Sequence, residues 1–294
     1  MEIFGVPIQA LTGQLLLGLI NGSFYAVLSL GLAIIFGLLN IINFAHGAQY
    51  MLGAFVAFFL LQYLEIGYWG ALLLSPIIVG LLAVVIEKTM LKRLYKLDHL
   101  YGLLLTFGLA LVIEGTFKNL FGVSGETYEV PELLQGGVRL PFMFLPIYRG
   151  WVVVAALAAC FLAWYIIEKT SIGATLRAAT QRPDLVQALG INVPLLITST
   201  YAAGVALAAF AGVLAAPVVQ VNPVMGSNLI IVVFAVVVIG GMGSILGSIV
   251  TGIGLGLIEG LTKVFYPEAS AVVIFLIMVL VLLVKPAGLF GKQA

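Results

Sequence analysis

Residues 21–47, NGSFYAVLSLGLAIIFGLLNIINFAHG, combine a long apolar run with a few regularly placed polar side chains. Asn40, Asn43 and His46 recur at every third position, and Gln49 continues the pattern just beyond this stretch. The apolar run suits a helix that crosses a bilayer, which needs about 20 residues. A hydrogen-bonding side chain that faces hydrocarbon costs several kcal/mol, so these four side chains, the polar track, require polar partners or water.

The whole chain has the composition of a membrane protein. Of its 294 residues, 63% are hydrophobic and 9% are charged, and the mean hydropathy is +1.22. A soluble domain carries roughly 25% charged and about 45–50% apolar residues. This chain cannot cover itself with a water-compatible surface. We therefore expect an all-α, polytopic transmembrane bundle, because a membrane β-barrel would alternate apolar and polar residues.

Apolar runs between polar breaks predict about eight or nine spans in a single transmembrane domain, residues 1–294. The first span reaches about 43 Å against a hydrocarbon core of ~30 Å, so we expect tilt or a break at Asn21–Ser23. The Gly- and Pro-interrupted segment 217–247 allows a re-entrant piece instead of a full span. The predicted spans are 10–38, 46–64, 68–89, 99–121, 150–168, 192–216, 228–245, 247–264 and 270–285.

The longest predicted outer loop, residues 123–149, separates a first helical half, 1–122, from a second, 150–294. Its Gly and Pro residues argue against a span there. A weak internal repeat agrees with a two-fold division, which is common in transporters. The matches, at a constant offset of 194, are Gly47 with Gly241, Leu52 with Leu246, and Gly53 with Gly247.

Basic residues are distributed unevenly along the predicted topology. Nine of the thirteen Lys and Arg fall on one side if the nine spans alternate, and the positive-inside rule makes that side cytoplasmic. We therefore expect the N-terminus outside and the C-terminus in the cytoplasm. The nine residues are Lys88, Lys92, Arg93, Lys96, Lys169, Arg177, Arg182, Lys285 and Lys292.

The polar track has two interpretations. It either forms hydrogen bonds that hold helices together, worth about 0.6–2 kcal/mol each, or lines a polar translocation pathway. Asn21 and Ser23 in the first span are candidates for the same pathway. His46 is a weak candidate for a proton relay or metal ligand, and the sequence predicts no metal site.

No energy source for transport is evident in the chain itself. Glu114 and Glu259 lie within spans, but each has a lysine four positions later, which predicts an ion pair rather than a coupling-ion site. The glycine-rich stretch GGMGSILG lacks the strand–loop–helix context of a phosphate loop. We therefore expect no catalytic residue, no ATPase site and no cofactor bound by this chain.

Glycines at intervals of four predict close contacts between helices. Such spacing lets two helix backbones approach each other, either within the chain or between subunits. The glycines predicted to serve helix packing are Gly243, Gly247, Gly252, Gly256 and Gly260.

The connecting segment, residues 168–194, is the only sizeable amphipathic polar segment between spans. The sequence predicts one short helix over 175–179 and a second over 184–189. Pro183 suits the first turn of the second helix, and Gly190 suits its C-terminal end. This arrangement predicts a compact pair of helices facing the cytosol.

The connecting segment resembles the coupling loop of ABC-importer permeases through Gly173, Arg177-Ala178, Asp184 and Ala188–Ile191. Residues 21–47 and 240–259 resemble the branched-chain amino acid permeases more specifically, and "NFAHG" is the most specific motif. The resemblance covers nearly the whole chain and implies a fold like that of type II ABC importers. It also implies that Gly173, Arg177, Arg182, Asp184 and Gly190 contact separate ATP-binding subunits.

The implied assembly contains a second related permease subunit, two ATP-binding subunits that hold ATP and Mg²⁺, and an external solute-binding protein. Its substrate would be a branched-chain amino acid. Urea and short amides are the alternative substrates, and a channel or secondary carrier working alone is a less favoured class. An intramembrane protease is disfavoured because Ser244 does not lie in a G-x-S-G pattern.

Overall fold

The computed structural model describes residues 2–3, 6–39, 41–95 and 97–291. In this part of the chain, eleven α-helices account for most residues, and two short antiparallel ribbons complete the fold. The ribbons pair β1 (Glu2–Ile3) with β2 (Val6–Pro7) and β3 (Gly137–Arg139) with β4 (Phe144–Pro146). The helices are α1 (Ile8–Leu39), α2 (Ala45–Leu64), α3 (Tyr68–Thr89), α4 (His99–Phe121), α5 (Ile147–Lys169), α6 (Ser171–Gln181), α7 (Pro183–Ala188), α8 (Val193–Ala215), α9 (Ser227–Gly240), α10 (Ile245–Phe265) and α11 (Val273–Val284).

Each of the nine predicted spans coincides with a helix, which confirms the all-α, polytopic architecture. In the described residues, seven helices are long and apolar enough to cross a membrane. The other two, α9 and α11, have 14 and 12 residues and reach only about 21 and 18 Å. They fall short of the ~30 Å hydrocarbon core, so neither helix is long enough to cross it alone.

Of the two expected ways to fit the long first span, tilt or a break at Asn21–Ser23, the break is excluded, because α1 continues without interruption for 32 residues. The Ser23 hydroxyl donates to the Leu19 carbonyl one turn earlier, so its polar group is satisfied inside the helix. Gly22 is not a bend but a contact point against α10. The helix is about 48 Å long, and tilt or extension beyond the hydrocarbon must absorb the excess length.

Helix α1 forms the centre of the bundle and α10 packs along it in the antiparallel direction. A Cβ atom added to Gly18 would lie 2.5 Å from the Gly256 carbonyl oxygen, and one added to Gly22 would lie 3.0 Å from Ile253 Cα. The two backbones therefore touch with no side chain between them. Helix α8 packs on another face of α1 and also contacts α2 and α3, whereas α4 and α5 expose large apolar surfaces at the periphery.

The segment 217–247 contains one short helix between two irregular stretches. Val221 forms a two-bond bridge with Glu126 of the outer loop, with N–O distances of 2.8 and 2.9 Å. Gly226 then packs on Gly47, and α9 begins at the next residue. Gly241 lies in the turn after α9, whereas Gly47 lies inside α2, so the sequence match at offset 194 does not join equivalent backbone positions.

Candidate functional site

The connecting segment forms two consecutive helices, α6 and α7, between α5 and α8. Both are longer or begin earlier than the sequence predicts, since α6 covers 171–181 and α7 covers 183–188. Pro183 occupies the first turn of α7, and Gly190 follows it with a φ of +85°, a conformation that glycine adopts without strain. The predicted helix–turn–helix is therefore present.

One face of this helix pair packs against the bundle. Ala179 and Val186 form a small buried cluster with Val193, at the start of α8, and Leu196 and Ile197 pack against it. The opposite face exposes Arg182 and Asp184. It also exposes large apolar side chains, since Leu185 and Leu189 are 57% and 79% exposed. A surface that combines charges with protruding leucines can bind another protein.

Gly173 and Arg177 attach α6 to the end of α5. A Cβ atom at Gly173 would clash with the Ile167 carbonyl oxygen, so only glycine fits there. The Arg177 guanidinium donates to the same carbonyl, Nη1 to O at 2.7 Å, and lies 3.5 Å from the Glu168 carboxylate. Arg177 thus fixes the angle between the two helices while staying exposed, and Arg182 and Asp184 are exposed as well.

The polar track lies inside the subunit rather than on an open surface. The Asn43 amide donates to Gln49 Oε1 at 3.0 Å, and the Gln49 amide donates to the Tyr201 hydroxyl of α8 at 3.1 Å. His46 Nε2 lies 3.0 Å from the Leu28 carbonyl oxygen, which can only accept, so Nε2 carries the hydrogen. Asn40 lies outside the described residues.

Two polar atoms of the track remain without partners among the described residues: Asn43 Oδ1 and His46 Nδ1. Asn21 is half-buried and Ser23 is buried in α1. None of Asn21, Ser23, Asn43, His46 and Gln49 lines the described cavities. The geometry favours the helix-joining role, and the pathway role stays a prediction.

A cavity of about 540 Å³ lies between α5 and α8. Its walls are almost wholly apolar, with Ser199 and Thr200 as polar exceptions. Ile172 and Leu176 of α6 close its end, so the connecting segment directly contacts this cavity. A displacement of α6 would therefore change the shape of the cavity.

A buried polar cluster that sequence reasoning missed links α3 to α8 near the connecting segment. The Tyr95 hydroxyl donates to Glu87 Oε1 at 2.6 Å, and the Thr198 hydroxyl donates to Glu87 Oε2 at 2.7 Å. Burial and the Glu87 carboxylate both raise the pKa of Tyr95. The sequence did not single out Glu87, because an acid next to Lys88 at the end of a span looks like an ordinary polar boundary of a membrane helix.

The two predicted ion pairs within spans are formed. Lys118 Nζ lies 2.5 Å from Glu114, and Lys263 Nζ lies 2.5 Å from Glu259. Glu259 also accepts a hydrogen bond from the Tyr25 hydroxyl of α1 at 2.8 Å. These acids are engaged within the chain, as the i, i+4 spacing predicts.

The glycines predicted for helix packing fall into two groups. Gly252, Gly256 and Gly260 face α1, and Gly18 and Gly22 are among their contacts. Gly243 and Gly247 lie around the turn between α9 and α10, where Gly243 has a φ of +82° and approaches Gly37.

The sequence profile of the family described as "Branched-chain amino acid transport system / permease component" matches residues 14–282. The chain belongs to this family. A permease of this family, BraD of Pseudomonas aeruginosa, is named as a high-affinity branched-chain amino acid transport system permease protein. It is 30% identical to this chain, and the alignment covers 95% of each.

Two further relatives and one solved structure also align with most of this chain. The LivH permease of Escherichia coli K12 is 29% identical over 95% of each chain. The probable LivH of Methanocaldococcus jannaschii is 27% identical, covering 93% of this chain and 90% of its own. A chain of the structure "PsaBC from Streptococcus pneumoniae in complex with Fab" aligns over 90% of this chain and 86% of its own length, with 17% identity and a TM-score of 0.43. Family membership and the seven apolar helices make this protein a multi-pass membrane permease subunit.

Proposed function

We propose that this chain forms half of the membrane pathway of an ATP-driven importer for branched-chain amino acids. Its partners would be a second related permease, two ATP-binding subunits and an external solute-binding protein. Family membership and the names of the relatives support the substrate class. The observation that carries the mechanism is the helix pair of the connecting segment, whose outer face exposes charges and leucines.

The coupling mechanism follows from how the connecting segment is attached. An ATP-binding subunit that binds Asp184 and Leu189 would move α6 and α7 together. The Gly173 and Arg177 contacts would pass that movement to α5, and the Val186–Val193 packing would pass it to α8. Helices α5 and α8 border the cavity of about 540 Å³. Movement of the ATP-binding subunits during ATP binding and hydrolysis would therefore open and close this cavity.

Charge distribution supports an orientation with the connecting segment in the cytoplasm of a bacterial inner membrane. Helices α3 and α5 end, and α8 begins, at the same end of the bundle, as the Glu87–Thr198 and Arg177–Ile167 bonds require. The basic residues Lys88, Arg93, Lys169 and Arg182 lie at this end. With this end inside, the N-terminus is outside and the C-terminus is cytoplasmic.

The test is uptake by the reconstituted assembly. Proteoliposomes containing this chain with its companion permease and ATP-binding subunits, supplied with the solute-binding protein, should accumulate labelled leucine when ATP is inside. Labelled urea, offered in parallel, should not accumulate. ATP-independent leucine uptake by this chain alone would contradict the proposal, and urea uptake would reassign its substrate.

A matched pair of variants tests the docking surface. Asp184→Asn changes an exposed charge, and we expect it to lower leucine transported per ATP hydrolysed by at least threefold while the thermal midpoint stays unchanged. Lys118→Gln removes a charge that is paired with Glu114 in a remote helix, and it should leave that ratio unaltered. Equal coupling in both variants would exclude Asp184 from the interface.

A further inference from the structure

A second cleft, of about 490 Å³, opens at the end of the molecule opposite the connecting segment. It lies between the outer loop and the junction of α2 with α3. Tyr68, Trp69 and Tyr128 form aromatic walls, and Glu129 and Glu132 lie at the rim. Its volume is in the range of small-molecule sites, which run from about 300 to 1,000 Å³.

The walls of this outer cleft are held in place by a chain of hydrogen bonds. The Trp151 indole donates to the Tyr68 hydroxyl at 2.9 Å, and the Tyr68 and Tyr148 hydroxyl oxygens are 3.1 Å apart. Tyr148 donates its single hydrogen to the Leu214 carbonyl, so Tyr68 donates to Tyr148. Tyr68 is therefore fixed, and Trp69 packs edge-on against it and against Trp151.

Tyr128 contributes an unsatisfied polar group to this cleft. The residue is 4% exposed, and its hydroxyl has no hydrogen-bond partner among the described residues. Burial, with a smaller electrostatic effect of Tyr68, raises its pKa to about 12, so the hydroxyl stays protonated at neutral pH. Buried hydroxyls are normally hydrogen-bonded, so this one indicates a missing partner.

The charges at the cleft are all negative. Glu129 and Glu132 are exposed, and neither forms an ion pair within the described part of the chain. Glu65 follows α2 close by. A cation that enters would meet two carboxylates and an exposed tryptophan, residue types that attract ammonium groups.

We propose that the outer cleft binds a protonated amine, with its N–H groups directed at Tyr128 and the two carboxylates and its alkyl chain against Trp69. A zwitterionic amino acid fits less well, because its own carboxylate would face Glu129 and Glu132. The amine can belong to a free organic cation or to a lysine side chain of an external protein. This site is separate from the transported substrate and does not depend on ATP coupling.

The test is equilibrium binding to the full chain in lipid nanodiscs, followed by tryptophan fluorescence. The probes are Nα-acetyl-lysine amide and its uncharged isostere Nα-acetyl-norleucine amide, which differ at the ammonium group. We expect the lysine derivative to bind at least tenfold more tightly and to lose affinity at high salt. Equal binding of the two probes would overturn the proposal.

Variants assign the contacts. The double variant Glu129→Gln with Glu132→Gln should weaken binding of the lysine derivative by about fivefold, because exposed charge pairs contribute modestly. Adding Tyr128→Phe to the double variant should weaken binding of the lysine derivative further, without changing the charge at the rim. Glu268→Gln removes an outer acid that does not line the cleft and should have no effect. Unchanged affinity in the double variant would also overturn the proposal.

A second comparison identifies the source of the amine. Butylammonium and the peptide acetyl-Ala-Lys-Ala-amide are titrated side by side. Equal affinity supports the site and assigns a free organic amine, whereas tighter binding of the peptide supports the site and assigns a lysine of an external protein. Binding of neither probe excludes an amine site.

Discussion

Gly173 lies where the structure leaves no room for a side chain. Alanine there would clash with the Ile167 carbonyl oxygen, which also accepts the Arg177 hydrogen bond. We expect Gly173→Ala to displace α6, to lower stability by about 1–3 kcal/mol and to uncouple ATP hydrolysis from uptake. Thermal unfolding in detergent and the transport-to-ATPase ratio measure the two effects.

The control for this prediction is Gly108→Ala in α4, where an added Cβ would meet no atom within 4 Å. That variant should keep wild-type stability and coupling. If Gly173→Ala behaves like Gly108→Ala in both measurements, the tight contact between α5 and α6 is not needed for function.

Tyr201 completes the hydrogen-bond chain of the polar track. Tyr201→Phe leaves the Gln49 amide without its acceptor in a buried site, and we expect a loss of about 1–3 kcal/mol in stability. Tyr165→Phe, at an exposed tyrosine of α5, should be neutral. Thermal midpoints that do not differ between these two variants would show that Gln49 finds another partner.

The same network separates the two roles of the track. Asn43→Leu should lower stability if Asn43 chiefly holds α2 in place, since Gln49 Oε1 would lose its donor. If Asn43 lines the pathway instead, the variant should raise the KM for uptake and keep the thermal midpoint. Measuring both quantities on one preparation decides between the two roles.

At the scale of elements, the contact between α1 and α10 depends on glycine. A Cβ added to Gly256 would clash with the Gly22 backbone, whereas Gly254, two positions away, has open space around it. We expect Gly256→Ala to lower the thermal midpoint and Gly254→Ala to keep or raise it, because alanine favours a helix by about 1 kcal/mol over glycine. A lower midpoint for both would point to a general intolerance of α10.

The sequence predicted the helices well because their signals are local. Apolar length defines the spans, and Pro183 with Gly190 marks the limits of α7. The alternative of a break at Asn21–Ser23 is excluded because the Ser23 hydroxyl is satisfied inside the helix and Gly22 is a contact with α10, which local patterns do not show. The short lengths of α9 and α11 were also missed, since apolar residues continue beyond the helix ends.

The candidate site was less predictable because its contacts join distant parts of the chain. Gln49 and Tyr201 are 152 positions apart, and Glu87 and Thr198 are 111 apart. No spacing rule connects such residues. The direction of Arg177 was equally hidden, since its sequence position suits a partner contact but its guanidinium binds the carbonyl of Ile167.

At the scale of the whole molecule, the orientation is testable with matched cysteines. Leu133 of the outer loop and Leu189 of the connecting segment are 80% and 79% exposed. In a Cys160→Ser background, which removes the chain's only native cysteine, we expect Leu133→Cys to react with an impermeant maleimide on intact cells. Leu189→Cys should react only after permeabilisation, and the opposite pattern would reverse the orientation.

Helices α1 and α10 meet backbone to backbone, without flexible side chains between them to rearrange. A seam of this kind resists sliding, because any shift would drive carbonyl oxygens into α-carbons. We therefore expect these two helices to move as one rigid body during the transport cycle. In the proposed transport cycle, relative helix movement would instead involve loosely packed places such as the cavity between α5 and α8.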